Sequence, residues 1–163
     1  MKETVTFIAQ YFVFLSAFLA LWVFATQPPS KKKNFILVGL LGAVLTLLFA
    51  KIGNYLYYDP RPFVAGDFTP YFAHASDNGF PSEHTLLAAF LTFLAFGYSK
   101  RLGWVLLFLA LLTGMARVKA GVHHSIDVLG SFAFAAVGVW LAGALTAKLS
   151  RQKPTYTAKK SHK

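Results

Sequence analysis

Apolar residues fall along this chain in five long runs, at about 5–26, 34–58, 84–99, 102–118 and 126–147. Each run ends in a cluster of charge, proline or glycine. A helix needs about 20 predominantly apolar residues to cross a bilayer. The first, second and fifth runs meet that length. The third and fourth are short, and read as spans because the alternation of the loops calls for two crossings there. The pattern predicts an all-α, polytopic membrane helix bundle of about five transmembrane helices. It forms a single domain over 1–147, followed by a basic, disordered tail over 148–163. The first run is longer than the roughly 7–15 apolar residues of a signal peptide, with no small-x-small cleavage site after it. It is expected to stay as a span.

Charged residues make up 13% of the chain, against about 25% in a soluble domain. The net charge of +10 would suit nucleic acid in a soluble protein, but here the basic residues are sorted by loop. Lys31, Lys32 and Lys33 lie between the first two runs, Lys100 and Arg101 between the third and fourth, and six more follow Leu145. Those are alternate loops, all on one side, and the positive-inside rule makes that side cytoplasmic. The amino terminus and the 59–83 and 119–125 loops are then outside, together with all six acidic residues. The expected partners are membrane lipids, with the basic tail against anionic headgroups, and not nucleic acid. The chain has no cysteine, which excludes disulfides, thiolate chemistry and cysteine-based zinc sites.

Against this apolar background the ionisable residues of the outer side stand out. Arg117, His123, His124 and Asp127 share eleven positions between two apolar runs, and such a cluster beside a bilayer is a candidate site by default. On a helical turn His123 and Asp127 are i and i+4, so the carboxylate can accept from one ring nitrogen and leave the other as a nucleophile. Arg117 can hold an oxyanion with its planar fork. Pro60 and Pro62 flank Arg61 and stiffen it. The 64–80 connection, with Gly66, Asp67, His74, Asp77, Asn78 and Gly79, is longer than most, which is common for functional loops. It lacks the alternation of a strand pair. Ser82 is placed as an N-cap whose following N–H groups form an anion site, with His84 in that first turn. Lys51 interrupts an apolar run and either snorkels to the headgroups or joins the site. Small residues in the fifth run (Gly130, Ser131, Ala135, Gly138) suit close helix packing within the chain or in a homo-oligomer. Two other readings stay open on the residues alone. One is a metal or transport site built from His74, His84, His123, His124 and Asp127; the other is a structural membrane protein without chemistry.

Taken in order, Arg61-Pro62, Pro81-Ser82-Glu83-His84 and Ala116-Arg117-x5-His123-x3-Asp127 resemble the three motifs of the type 2 phosphatidic acid phosphatase superfamily. Those motifs read Lys-x6-Arg-Pro, Pro-Ser-Gly-His and Ser-Arg-x5-His-x3-Asp. The chain departs from them at Ala116, at Glu83 and at Asn54, which stands where the family has lysine; Lys51 is one turn earlier. The run from Arg61-Pro62-Phe63 through His74-Ala-x-Asp77 to Thr85, with Gly121-Val-His-His, is similar to the bacitracin-resistance branch of bacterial undecaprenyl-diphosphate phosphatases. That resemblance implies a multi-pass protein of the bacterial cytoplasmic membrane whose site faces outside and takes a polyprenyl diphosphate. His123 would attack the terminal phosphorus and Asp127 would orient it. Arg61, Arg117, Ser82 and Lys51 would bind phosphate, and His84 would protonate the leaving group. It implies no cofactor and no metal. Glycerolipid phosphates are the alternative substrates.

Overall fold

The computed structural model describes residues 1–151. Its helices are α1 (Lys2–Ala25), α2 (Pro29–Leu56), α3 (Pro62–Ala65), α4 (Glu83–Phe96), α5 (Lys100–Lys119) and α6 (Ser125–Arg151). Among the described residues there is no strand, only an isolated antiparallel bridge between Pro60 and Asn78. Helices α1, α2, α5 and α6 are long and apolar enough to cross a membrane. The 14 residues of α4, at about 1.5 Å each, extend only about 21 Å.

Two boundaries differ from the apolar pattern. The lysine triplet, expected between spans, lies in the opening of α2, because Pro29 at the first helical position starts the helix ahead of it. Helix α6 runs on to Arg151, four residues into the stretch expected as tail; the rest of that stretch, 152–163, lies outside the described residues. The basic clusters still collect at one end of the bundle and the 57–82 and 120–124 connections at the other.

Packing is close where side chains are small. A methyl group at Gly138 would meet Thr46, and one at Gly42 would stand 3.4 Å from Phe90 and 3.6 Å from Ala142, so α2 and α6 approach almost backbone to backbone. In α4 and α5, Thr92 and Thr113 return their buried hydroxyls to the carbonyls of Ala88 and Leu109, which keeps them satisfied in an apolar interior. Helix α4 packs mainly on α5 and α6, and α2 mainly on α6. Between α2 and α4 is an apolar cleft of about 280 Å³ lined by Ala43, Thr46, Leu47, Leu86, Leu87 and Phe90, with Glu83 at one end.

Candidate active site

The polar centre is assembled at the end of the bundle opposite the lysine clusters. The turn between α5 and α6 delivers His123, which is 2% exposed, and the first turn of α6 delivers Asp127, which is fully buried. His123 Nδ1 lies 3.1 Å from Asp127 Oδ2, and the same oxygen accepts from the backbone N–H of His124 at 2.9 Å. On the other edge of the ring, Nε2 lies 3.2 Å from Arg61 Nη1 and 3.1 Å from Arg117 Nη2. Guanidinium groups only donate. Nε2 therefore carries the lone pair, and the ring proton is on Nδ1, where Asp127 accepts it. Burial lowers the His123 pKa; Asp127 works against this, and the two arginines add to it. The ring is thus a neutral imidazole at neutral pH, with its nucleophilic atom under two cationic forks.

Both arginines are themselves buried, at 6% and 2% exposure, and both are held from several sides. Arg61 donates through Nη1 to the Val122 carbonyl and through Nε and Nη2, each at 2.9 Å, to one oxygen of Asp77. Arg117 donates to the Ala9 carbonyl of α1 at 3.3 Å and to His74 Nε2 at 2.8 Å. Its Nε has no partner among the described residues. Burial costs the Asp77 carboxylate, but the hydrogen bond and charge of Arg61 outweigh that and hold it below its usual range. His74 is pushed down to about 4, first by its own burial and then by the two arginines and His123.

Ser82 is the N-cap of α4, but its side chain does not cap. The hydroxyl pairs with Thr85 Oγ1 at 3.0 Å, which corrects the capping role expected of that side chain. The Ser82 carbonyl accepts from Ser131 of α6 at 2.9 Å, so the α4 start is fastened to the helix carrying Asp127. His84 follows on the first turn, half-buried, with no side-chain hydrogen bond among the described residues and within the field of the Arg117 charge. Lys51 and Asn54 of α2 line a polar cavity of about 590 Å³ together with Arg61, His74, Asp77 and Glu83. Asn54 is already engaged: its amide donates to the Phe80 carbonyl at 2.7 Å. Lys51 makes no hydrogen bond among the described residues. The cavity shares Leu47, Glu83 and Leu86 with the apolar cleft between α2 and α4, so the two adjoin.

These distances put Arg61 of the first motif and Arg117 of the third on one atom, Nε2 of His123. The PAP2 superfamily model matches residues 34–151. The chain belongs to that superfamily. Undecaprenyl-diphosphatase BcrC of Bacillus subtilis is 33% identical over 140 residues, 84% of this chain and 70% of the relative. A protein of Bacillus licheniformis named bacitracin transport permease protein BcrC is 31% identical, with 78% and 63% covered. The putative undecaprenyl-diphosphatase YbjG of Escherichia coli is 30% identical, with 76% and 61% covered. The match thus spans under two thirds of the last two relatives. A PAP2-type phosphatidylglycerolphosphate phosphatase from Bacillus subtilis superposes with a TM-score of 0.61, covering 93% of this chain and 79% of the other at 23% identity. Aquifex aeolicus LpxE gives 0.63, with 86% and 85% covered, again at 23% identity. Both share the PAP2 fold.

Four residues to which the motifs give no role lie at this polar centre: His74, Asp77, Asp59 and His124. His74 and Asp77 hold the arginines. His124 Nδ1 lies 2.8 Å from Asp59 Oδ2, beneath Asp127. The loop's length and its His74-Ala-x-Asp77 run were the only signals for the first pair. Asp59, His124 and Asp127 bring one ligand atom each within 4.8 Å of one another. In that group His124 is already paired with Asp59, and Asp127 Oδ2 already accepts from His123 and from the His124 N–H. The metal reading had pooled His74, His84, His123, His124 and Asp127. In the structure the first three surround the arginines and do not converge with His124.

Proposed function

We propose that this membrane protein hydrolyses undecaprenyl diphosphate to undecaprenyl phosphate and phosphate through a phosphohistidine at the outer face of the bacterial cytoplasmic membrane. It would thereby recycle the lipid carrier of cell-wall synthesis and confer bacitracin resistance. The observation that carries this reading is His123: a buried neutral imidazole, oriented by Asp127 and faced by two guanidinium groups. The name of the B. subtilis relative supports the substrate, and the polar cavity adjoining an apolar cleft suits a phosphorylated head on a hydrocarbon tail. The single-sided basic clusters support the orientation.

Nε2 attacks the terminal phosphorus and the bridging P–O bond breaks, releasing undecaprenyl phosphate and leaving a phosphoryl group on His123. The proton on Nδ1 stays in the bond to Asp127, which offsets the positive charge that forms on the ring. Arg61 and Arg117, displaced from Nε2 by the phosphorus, take its equatorial oxygens, where charge gathers. Lys51 adds charge from the cavity wall. His84 protonates a leaving oxygen when that oxygen needs it, and water then cleaves the P–N bond.

The test is phosphate release from undecaprenyl diphosphate by the purified protein in detergent, beside His123→Ala, with and without EDTA. Release that survives EDTA and disappears in the variant is the expected result. Loss on chelation would move the Asp59–His124–Asp127 group to the centre, and faster turnover of phosphatidic acid or phosphatidylglycerophosphate in paired competition would change the lipid.

A further inference from the structure

The connection between α3 and α4 reaches both arginines. Asp77 receives Nε and Nη2 of Arg61 on a single oxygen, and His74 receives Nη2 of Arg117 at 2.8 Å. The two residues are three positions apart, yet each serves a guanidinium from a different part of the chain. His74 is also packed edge to face against His123, with ring centroids 5.9 Å apart. Phe72, from the same loop, lies 5.9 Å from the Arg117 guanidinium carbon over its ring face. Neither His74 nor Asp77 belongs to the three motifs.

The chemistry of these contacts assigns them a task. Arg117 Nη2 is shared between His74 and His123. When His123 Nε2 bonds to phosphorus it stops accepting, and Arg117 loses one of its anchors as the transition state forms. A guanidinium without an anchor has side-chain freedom that must be lost again to bind the phosphoryl oxygens. His74 keeps accepting throughout, because its Nε2 lone pair takes no part in the reaction. Asp77 does the same for Arg61, from the side away from His123. We propose that the 66–80 loop is the template of the phosphoryl-binding clamp, with His74 as the positioning residue for Arg117 and Asp77 as that for Arg61. The proposal rests on the phosphoryl-transfer reading of the site.

The test uses the full-length protein in detergent and three replacements of His74. His74→Gln puts an acceptor near the position of Nε2; His74→Asn is polar but too short to reach; His74→Leu removes the acceptor. Two readouts are taken: kcat for phosphate release from undecaprenyl diphosphate, and calorimetric affinity for orthovanadate, an oxyanion that mimics the transferring phosphoryl group. The expected result is a loss of about 100-fold in kcat for Leu and Asn, the scale of a misplaced catalytic group. Vanadate should weaken in step and Gln should recover most of both, with KM little changed. In an Arg117→Ala background the Leu and Gln variants should be equal, because the arginine they act through is gone. Equal losses for Gln and Asn at unchanged melting temperature would overturn the assignment, as would a full His74→Leu penalty in the Arg117→Ala background. If Leu does not fold, the Gln and Asn pair decides. A wild type that binds vanadate with this dependence on His74 but hydrolyses no lipid phosphate would keep the clamp and remove the phosphatase reading. Hydrolysis indifferent to His74 would do the reverse, and a protein with neither property would remove both.

Discussion

His123 Nδ1 and Asp127 Oδ2 lie 3.1 Å apart across the start of α6, and that same oxygen accepts from the His124 N–H. One carboxylate oxygen therefore sets the tautomer of the nucleophile and fastens the turn that presents it. In Asp127→Asn the amide oxygen can stand in for Oδ2 and accept from both donors, but the negative charge that offsets the positive ring formed during the proposed attack is lost. We expect kcat to fall between about 100- and 10,000-fold with KM changed little, the range for an orienting carboxylate. A loss within tenfold would show that the charge of Asp127 contributes little.

His84 has no side-chain hydrogen bond among the described residues, and the proposed reaction gives it the task of protonating the leaving group. A diphosphate leaves as a stable phosphate anion, whereas a monoester leaves as an alkoxide that needs a proton. His84→Ala should therefore lower kcat/KM for an undecaprenyl monophosphate or phosphatidic acid substrate at least tenfold more than for undecaprenyl diphosphate. Equal losses on the two classes would remove His84 as the acid.

Burial and the two arginines hold the His123 pKa below its ordinary 6.5 despite Asp127. Protonation destroys the nucleophile, so the acid limb of kcat/KM should lie below pH 6.5. Ring nitrogen NMR of His123 in detergent checks this directly, and a midpoint above 6.5 contradicts it. His74 has a folded value of about 4 against 6.5 unfolded. Between those values the unfolded chain binds a proton that the folded one does not. The stability owed to neutral His74 is thus complete above pH 6.5 and is lost as pH falls toward 4. Melting curves should show that decline in wild type and a shallower one in His74→Gln.

Lys51 lines the cavity without a partner among the described residues, while the amide of Asn54 is tied to the Phe80 carbonyl. Lys51→Ala should raise KM several-fold and leave kcat within about threefold, as expected for uniform ground-state binding. Asn54→Lys should not strengthen the clamp. It removes the 2.7 Å bond that fixes the loop before Ser82 and should lower the melting temperature, by an amount set by the roughly 1–3 kcal/mol cost of an unmet carbonyl. Tighter substrate binding by Asn54→Lys would contradict this.

At Gly79 an added methyl group would stand 3.1 Å from Asp127 Oδ2 and from the Asp59 carbonyl, whereas at Gly143 nothing lies within 4 Å. Gly79→Ala should displace Asp127 and reduce kcat about tenfold or more, with overpacking of about 1–3 kcal/mol. Gly143→Ala should keep full activity and gain a few tenths to 1 kcal/mol from the helix interior. Similar activity in both variants would show that the Gly79 backbone does not constrain the carboxylate.

The apolar runs and the His123–Asp127 spacing were legible from the chain because both are local. Hydrocarbon solvent forces each run into a helix whatever its neighbours do, and four positions of sequence suffice to bring an imidazole to a carboxylate. The lysine triplet was misplaced for an equally local reason: charge was read as loop, although Pro29 starts a helix there. Ser82 was read correctly as an N-cap position and incorrectly as a capping side chain, because Thr85 competes for its hydroxyl.

The sequence alone carried the bundle, its sidedness of charge, and the pairing of one imidazole with one carboxylate. Who holds the arginines emerges only from packing. The contacts Arg117–His74, Arg117–Ala9 and Arg61–His123 span 43, 108 and 62 positions. They depend on the path of a loop with no periodicity. No propensity or spacing encodes such contacts, because they exist only once α1, α4, α5 and α6 have packed and left a buried place where two cations require acceptors.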